Sequence, residues 1–249
     1  MIKNHDQGAG VIQWGTVVSG SETKVGIGVS GALRCALRVE GSIISAILKR
    51  GNSAEILAES FSAILLRGWG LPVPTPYLVN ESEGIAFASA EQSYPNLSQK
   101  IGLDEIPPGS AAATAASRLA HKLVSQLPTA PLAIVADEAI ANPDRNLGNI
   151  LWDGVDEQWI DHAYAFATCP VPNKLTEMIT DSGAHEAIRS AAIAHWLSVD
   201  RNSVGKACQA IPEELNAGNH AQFVSKQLST LGNRILARFP QPDDLLTRS

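Results

Sequence analysis

The sequence predicts an α+β fold in two lobes, and three observations carry the prediction. Short Val- and Ile-rich segments fill most of the first ninety residues. A single helical period interrupts them, and a polar, Pro/Gly-punctuated stretch follows. Ala-rich helical patterns with one small β insertion occupy the rest. The chain has 249 residues, 45% hydrophobic and 18% charged, enough to build a sizeable core.

Taken in order, GVIQWGTVV, KVGIGVS, ALRCALRV and SIISAILK read as strands, with Gly41-Ser42 as a hairpin connection. In AEILAESFSAILLRG the residues Leu57, Phe61 and Ile64 recur at helical spacing. Gly68-Trp69-Gly70 ends that helix, and Pro72 and Pro74 prevent its resumption. TPYLVN and GIAFAS are two further strands. EQSYPNLSQKIGLDEIPPGS reads as a linker or hinge. AAATAASRLAHKLVSQL is an Ala-rich helix, and Pro131 opens another through LAIVADEAIA. NILWDG and QWIDHAYAF form a hairpin turning at Gly154, and helices follow from about Leu175. The expected boundaries are 1–91 for the strand-rich lobe and 92–249 for the helical one.

Charge and composition exclude several classes. Nineteen basic against twenty-five acidic residues give a net charge of −6, which does not suit a nucleic-acid partner. No apolar run approaches the roughly 18–20 residues that span a bilayer, and no basic amphipathic segment suits a membrane surface. The three dispersed cysteines, Cys35, Cys169 and Cys208, fit reduced thiols in a cytoplasm.

The chemistry concentrates in DEAIANPDRNLGNILWDGVDEQWIDHAYAF, residues 137–166. Asn142-Pro143 disfavours continuing the helix, and Asp144, Arg145, Asn146 and Asn149 then crowd one polar loop. A carboxylate there can orient a substrate hydroxyl for in-line attack, and an amide oxygen suits Mg²⁺. A plain turn rich in Asp and Asn accounts for the loop equally well. The downstream segment tips the balance. Asp161 directly follows an apolar strand, where burial needs a partner, and Mg²⁺ bridging nucleotide phosphates supplies one. This set points to an ATP- and Mg²⁺-dependent phosphotransferase, with Asp144 as the catalytic carboxylate and Asn149 and Asp161 as metal ligands. Asp137 is placed to brace the loop.

Asp144-Arg145-Asn146…Asn149 followed by Ile160-Asp161-His162…Phe166 resembles the catalytic and metal-binding loops of HipA-like kinases, which are distantly similar to protein kinases and phosphoinositide kinases. Glu59, its helix and Gly70-Leu71-Pro72-Val73-Pro74 resemble the family's N-lobe helix and following turn. The resemblance implies a bilobal, protein-kinase-like fold: an antiparallel N-lobe sheet plus one helix over a mostly helical C-lobe. It places Lys49 at the nucleotide phosphates, with Glu59 as its pairing carboxylate and Glu55 in reserve. Gly28, Ser30 and Gly31 belong to a glycine-rich stretch that is either a phosphate loop or an ordinary hairpin turn. Phe87, Ala88 and Ser89 fall in a linker, 87–91, whose backbone would meet adenine.

The resemblance further implies a serine/threonine kinase acting on a protein, with toxin-like character and an antitoxin-like partner. A kinase for a small molecule or lipid head group and a non-enzymatic nucleotide-binding module are the alternatives. Thr168, in the short segment after Asp161, is a candidate for self-phosphorylation. Asn142-Pro143 stands where a typical protein kinase has His-Arg, which loosens transfer from that wider group.

Overall fold

The computed structural model describes residues 11–25, 31–168 and 171–240. Six strands form one sheet: β1 (Gln13–Val17), β2 (Thr23–Lys24), β3 (Leu33–Val39), β4 (Ser42–Lys49), β5 (Pro76–Glu81) and β6 (Gly84–Ala90). Their order is β1-β5-β6-β4-β3-β2, and β1 also pairs with β3, so five strands close into a small barrel. The β1/β5 pair is parallel and the other pairings are antiparallel. The expected all-antiparallel sheet is corrected at that point. β1 reaches β5 after the long excursion through α1, and a crossover of that length permits parallel pairing.

Strand alternation gives the barrel two environments. Cys35, Leu37, Val39, Ala46, Leu48, Tyr77, Val79, Ala86 and Ala88 fill its interior. The intervening residues point outward, among them Arg34, Ile47, Lys49, Phe87 and Ser89. Gly15 has a steric reason: a Cβ there would lie 2.6 Å from Leu37 Cγ, where β1 closes onto β3. The β3–β4 hairpin turns at Glu40 and Gly41, both at positive φ (48° and 84°), as tight hairpins require.

Helix α1 (Ser53–Gly68) opens with a capping box in which the Asn52 side chain accepts from Glu55 N–H and Glu55 answers at Asn52 N–H. It is buried almost all round, against β5 and β6 on one side and a helix of the second half on the other. Gly70, at φ 85°, turns the chain away from the helix end.

The second half contains α2 (Leu97–Lys100), α3 (Ala111–Gln126), α4 (Ala130–Ala139), the hairpin β7 (Ile150–Trp152) and β8 (Glu157–Trp159), α5 (Lys174–Ser182), α6 (His185–Ser198), α7 (Asn202–Ala210) and α8 (Gly218–Arg238). This makes eight α-helices among the described residues. The expected linker after Glu91 is partly ordered: Asn96 caps α2 reciprocally with Gln99, and Trp152 N–H donates to Pro95 O at 3.0 Å.

The apolar cores divide at the barrel wall. α1 shares one continuous core with α4, α6, α7 and α8, while the barrel interior is a separate cluster. Trp69 Nε1 on the end of α1 donates to Asp200 O at 3.1 Å, which fixes α1 onto the helical half.

Candidate active site

Helix α4 and the β7–β8 hairpin set the position of the polar loop between them. The Glu157 carboxylate accepts from Thr129 N (3.0 Å) and Oγ1 (2.7 Å), and Trp159 Nε1 donates to the same hydroxyl at 2.8 Å. The start of α4 is thereby tied to β8. The Trp159 backbone N–H donates to Pro72 O at 2.8 Å, so the Gly-Leu-Pro-Val-Pro turn rests on the same hairpin. Ile150 pairs with Trp159, and Ile160 N–H donates to Asn149 O at 3.1 Å. Antiparallel register therefore brings Asp161 alongside Gly148 and Asn149 although the loop lies twelve residues upstream.

Arg145 locks this arrangement. Its side chain is 1% exposed and forms a two-pronged pair with Asp137, Nε to Oδ2 and Nη2 to Oδ1, each at 2.9 Å. Nη1 donates to Asn149 O (3.0 Å) and Ile160 O (2.9 Å), so one guanidinium holds the loop to the Asp161 strand. Asn142 Nδ2 donates to Asp137 at 3.0 Å, which completes the brace expected of Asp137. Nη2 also approaches His162 Nε2 at 3.2 Å. Arginine only donates, so Nε2 accepts and the imidazole proton sits on Nδ1. Burial, then Arg145, then Lys49 push His162 well below the usual histidine value, and the ring is neutral. Its 3.9 Å approach to Glu59 is consequently not an ion pair.

Lys49, the last residue of β4, projects from the outer barrel face. Its Nζ pairs with Glu59 Oε1 and stands 2.9 Å from Asp161 Oδ1. Burial acts to lower the ammonium pKa, and the carboxylates of Glu59 and Asp161 more than reverse it, so Lys49 is raised above the ordinary lysine value. Glu59 also accepts from His162 N–H at 3.1 Å, while Glu55 stays in the cap of α1. Asp161 adopts a left-handed backbone, φ 64°, uncommon for a residue other than glycine and frequent where a side chain is held for a purpose.

A cavity of about 530 Å³ opens beside these groups, and Lys49, Glu59, Asn149, Asp161 and His162 line it. Val25, Ile47, Phe87, Leu151 and Ile160 supply apolar walls. Asn149 Nδ2 donates to Asp144 O at 2.8 Å, which leaves Asn149 Oδ1 without a hydrogen-bond donor among the described residues. Among the described residues no three His, Cys, Asp or Glu side chains cluster as a metal site. The oxygen donors in reach are one amide and one carboxylate, a hard set suited to Mg²⁺ when phosphate oxygens complete the shell.

The other expected residues fall as follows. Asp144 is half-buried and bonded to Asn149 through its backbone, and it is not part of the cavity lining. Ser89 lines the cavity with Phe87. Ala88 does not: it faces the barrel interior at 0% exposure, as strand alternation requires. Phe87, Ala88 and Ser89 are also paired in the sheet to both β4 and β5, so the linker starts at Glu91 rather than 87. Gly28 and Ser30 lie outside the described residues. Gly31, at φ 63°, is not in the lining, but Val25 and Ala32 on either side of that stretch are.

Two parts of the site carried no assigned role in the sequence. One is the Arg145 fork; an arginine flanked by Asp144 and Asn146 on a short loop was its only signal. The other is the ion pair from Arg34 Nε to Glu91 at 2.5 Å, which Ser45 also joins at the cavity rim.

No family model matches the chain, and no curated protein sequence does. Solved structures do. A Helicobacter pylori proinflammatory kinase, CtkA, aligns with a TM-score of 0.56 at 14% identity, covering 87% of this chain and 96% of CtkA. HipA of Shewanella oneidensis MR-1, solved in complex with HipB and operator DNA, aligns with a TM-score of 0.53 at 12% identity, covering 89% of this chain and 66% of HipA. At such identities the likeness is one of fold, and the chain has the HipA-like kinase fold.

Proposed function

We propose that the protein is an ATP- and Mg²⁺-dependent serine/threonine protein kinase whose nucleotide lies in the 530 Å³ cavity, between an N-lobe of residues 1–91 and a C-lobe of residues 92–249. The observation that carries this reading is the contact of Lys49 with both Glu59 and Asp161, residues 10 and 112 positions away, on a wall shared with Asn149. A fixed ammonium answered by two carboxylates is what a phosphate-binding lysine needs before its anion arrives.

In this reading the apolar walls take the adenine and Lys49 neutralises the phosphate oxygens. Asn149 Oδ1 and the Asp161 carboxylate hold Mg²⁺, which supplies charge neutralisation at the triphosphate when bound. Asp144 accepts the hydrogen bond of the acceptor hydroxyl and orients it for in-line attack. Arg145 and Asp137 keep the loop in place throughout. The HipA structure contains HipB, and an antitoxin-like partner for this chain is part of the same proposal.

Incubation with γ-labelled ATP and Mg²⁺ tests it, comparing the native chain with Asp144→Ala in the presence of a cell extract as acceptor. The expected result is label on protein with the native chain and none above background with the variant. Label on a small metabolite would redirect the reading to a small-molecule kinase, and no label on either would remove phosphotransfer.

A further inference from the structure

The carboxylate assigned to the metal already holds a cation. Asp161 Oδ1 stands 2.9 Å from Lys49 Nζ, and the same ammonium pairs with Glu59 Oε1. The two contacts differ in kind. The Glu59 side chain is 4% exposed, is carried by the buried helix α1, and accepts from His162 N–H at 3.1 Å through its other oxygen. The Asp161 side chain is 26% exposed, and among the described residues Lys49 is the only donor that reaches its carboxylate. Asn149 faces the same cavity with an open acceptor. It is 7% exposed, its Nδ2 is spent on Asp144 O, and its Oδ1 meets no donor among the described residues. A buried oxygen left open on a cavity wall calls for a donor or a cation. Lys49 does not answer it, since Nζ bonds to Glu59 and Asp161 alone.

Charge decides what the Asn149–Asp161 pair can bind. Mg²⁺ takes its oxygen ligands at about 2.1 Å, so it would share the Asp161 carboxylate with an ammonium already seated there. Like charges that close repel strongly in a cavity where water is scarce. One ammonium against two carboxylates leaves a single net negative charge, little to draw a divalent cation out of water past Lys49. A triphosphate changes both conditions. Its oxygens offer the ammonium a denser anion, and they bring negative charge of their own to the metal. The contact that yields is the wetter one, to Asp161, while Glu59 keeps its hold on Lys49.

We propose that Lys49 is an interlock: before a nucleotide arrives it occupies Asp161 and keeps divalent cations off the Asn149–Asp161 pair, and a polyphosphate opens the pair to the metal by drawing the ammonium away. The inference rests on the reading of Asn149 and Asp161 as metal ligands and adds an order of events to it. Free divalent cation does not fill the site ahead of the nucleotide, so loading follows the nucleotide rather than the metal. The signature is a gain: removing the lysine costs nucleotide binding and at the same time creates a metal site that the native chain withholds.

Mn²⁺ serves as the probe, followed by water-proton relaxation, which rises steeply when the ion is held on a large, slowly tumbling molecule. It is titrated without nucleotide into the native chain, Lys49→Met and Lys49→Met/Glu59→Gln. The double variant removes the ammonium together with its buried partner. It strands no carboxylate, keeps an oxygen for His162 N–H, and carries the same net charge as the native trio. Both variants are expected to bind Mn²⁺ at least tenfold tighter than the native chain, and Asp161→Asn added to either should abolish the gain. Native affinity equal to that of the variants overturns the proposal, as does a gain that survives Asp161→Asn. In a last arm a non-hydrolysable ATP analogue is added to the native chain with Mn²⁺, and relaxation should rise. A rise there with no gain in the variants overturns the interlock and leaves the metal-ligand reading standing. No rise there overturns the proposal, and no rise together with no gain in the variants removes the metal-ligand reading as well. Should Lys49→Met fail to fold, the double variant decides.

Discussion

Lys49 and Arg145 are two cations tied to the same strand end, and they are held in opposite ways. Arg145 is sealed at 1% exposure, forked onto Asp137, with its remaining donors spent on two backbone carbonyls and the His162 ring. Lys49 keeps 20% exposure, faces a cavity, and divides its charge between a buried glutamate and Asp161, itself 26% exposed. A network with every valence filled and no solvent contact can only hold shape. A cation whose second partner is partly in solvent can exchange that partner for an incoming anion. Burial and saturation, more than residue type, separate scaffold from candidate chemistry here.

The comparison breaks most visibly at Arg145. Arg145→Ala strands the Asp137 carboxylate at 2% exposure and cuts the link from loop to hairpin; a loss of about 3–5 kcal/mol of stability is expected, read as a shift of the denaturant midpoint. Lys49→Ala should cost less, because Asp161 can turn to solvent and Glu59 keeps the hydrogen bond from His162 N–H, yet abolish nucleotide binding measured by calorimetry. Equal stability losses for the two would erase the distinction drawn here.

A finer test uses the two acids of α1. Glu55→Ala removes one half of the capping box and should lower stability by about 1 kcal/mol with nucleotide affinity kept. Glu59→Gln should do the reverse, with a small stability change and a large loss of affinity. The smallest expected effect is acid sensitivity at His220, whose ring lies 3.9 Å from that of Phe166. Burial lowers its pKa, so the folded chain binds this proton less readily than the unfolded one. Its contribution is therefore present above the unfolded value of about 6.5 and is lost as pH falls below it. His220→Leu should flatten that part of the stability–pH curve in chemical denaturation.

Much of this was legible in the sequence because local chemistry and fold agree. The Val- and Ile-rich runs around β1, β3 and β4 became strands, while all but Lys24 and Val25 of KVGIGVS lies outside the described residues; Pro131 opened α4, and Gly154 turned the β7–β8 hairpin. The pairing of Lys49 with Glu59 rather than Glu55 agrees with what the family resemblance implies. Closure of the barrel was not legible. It depends on β1 pairing with both β3 and β5, and long-range register leaves little trace beyond Gly15. Residues 87–89, expected as linker from their position in a family pattern, are strand instead, because their backbone pairs with both β4 and β5. Arg145 carried no role because a fork to Asp137 and two carbonyls is a tertiary arrangement.

The central claim is that Asn149 and Asp161, beside Lys49, form a Mg²⁺–nucleotide site. Calorimetric titration of ATP with and without Mg²⁺, on the native chain and on Asp161→Asn, tests it most directly. The account predicts that Mg²⁺ tightens ATP binding to the native chain by roughly tenfold or more, about 1.4 kcal/mol, and that this gain disappears in the variant while its thermal unfolding stays cooperative. An undiminished Mg²⁺-dependent gain in Asp161→Asn would contradict it.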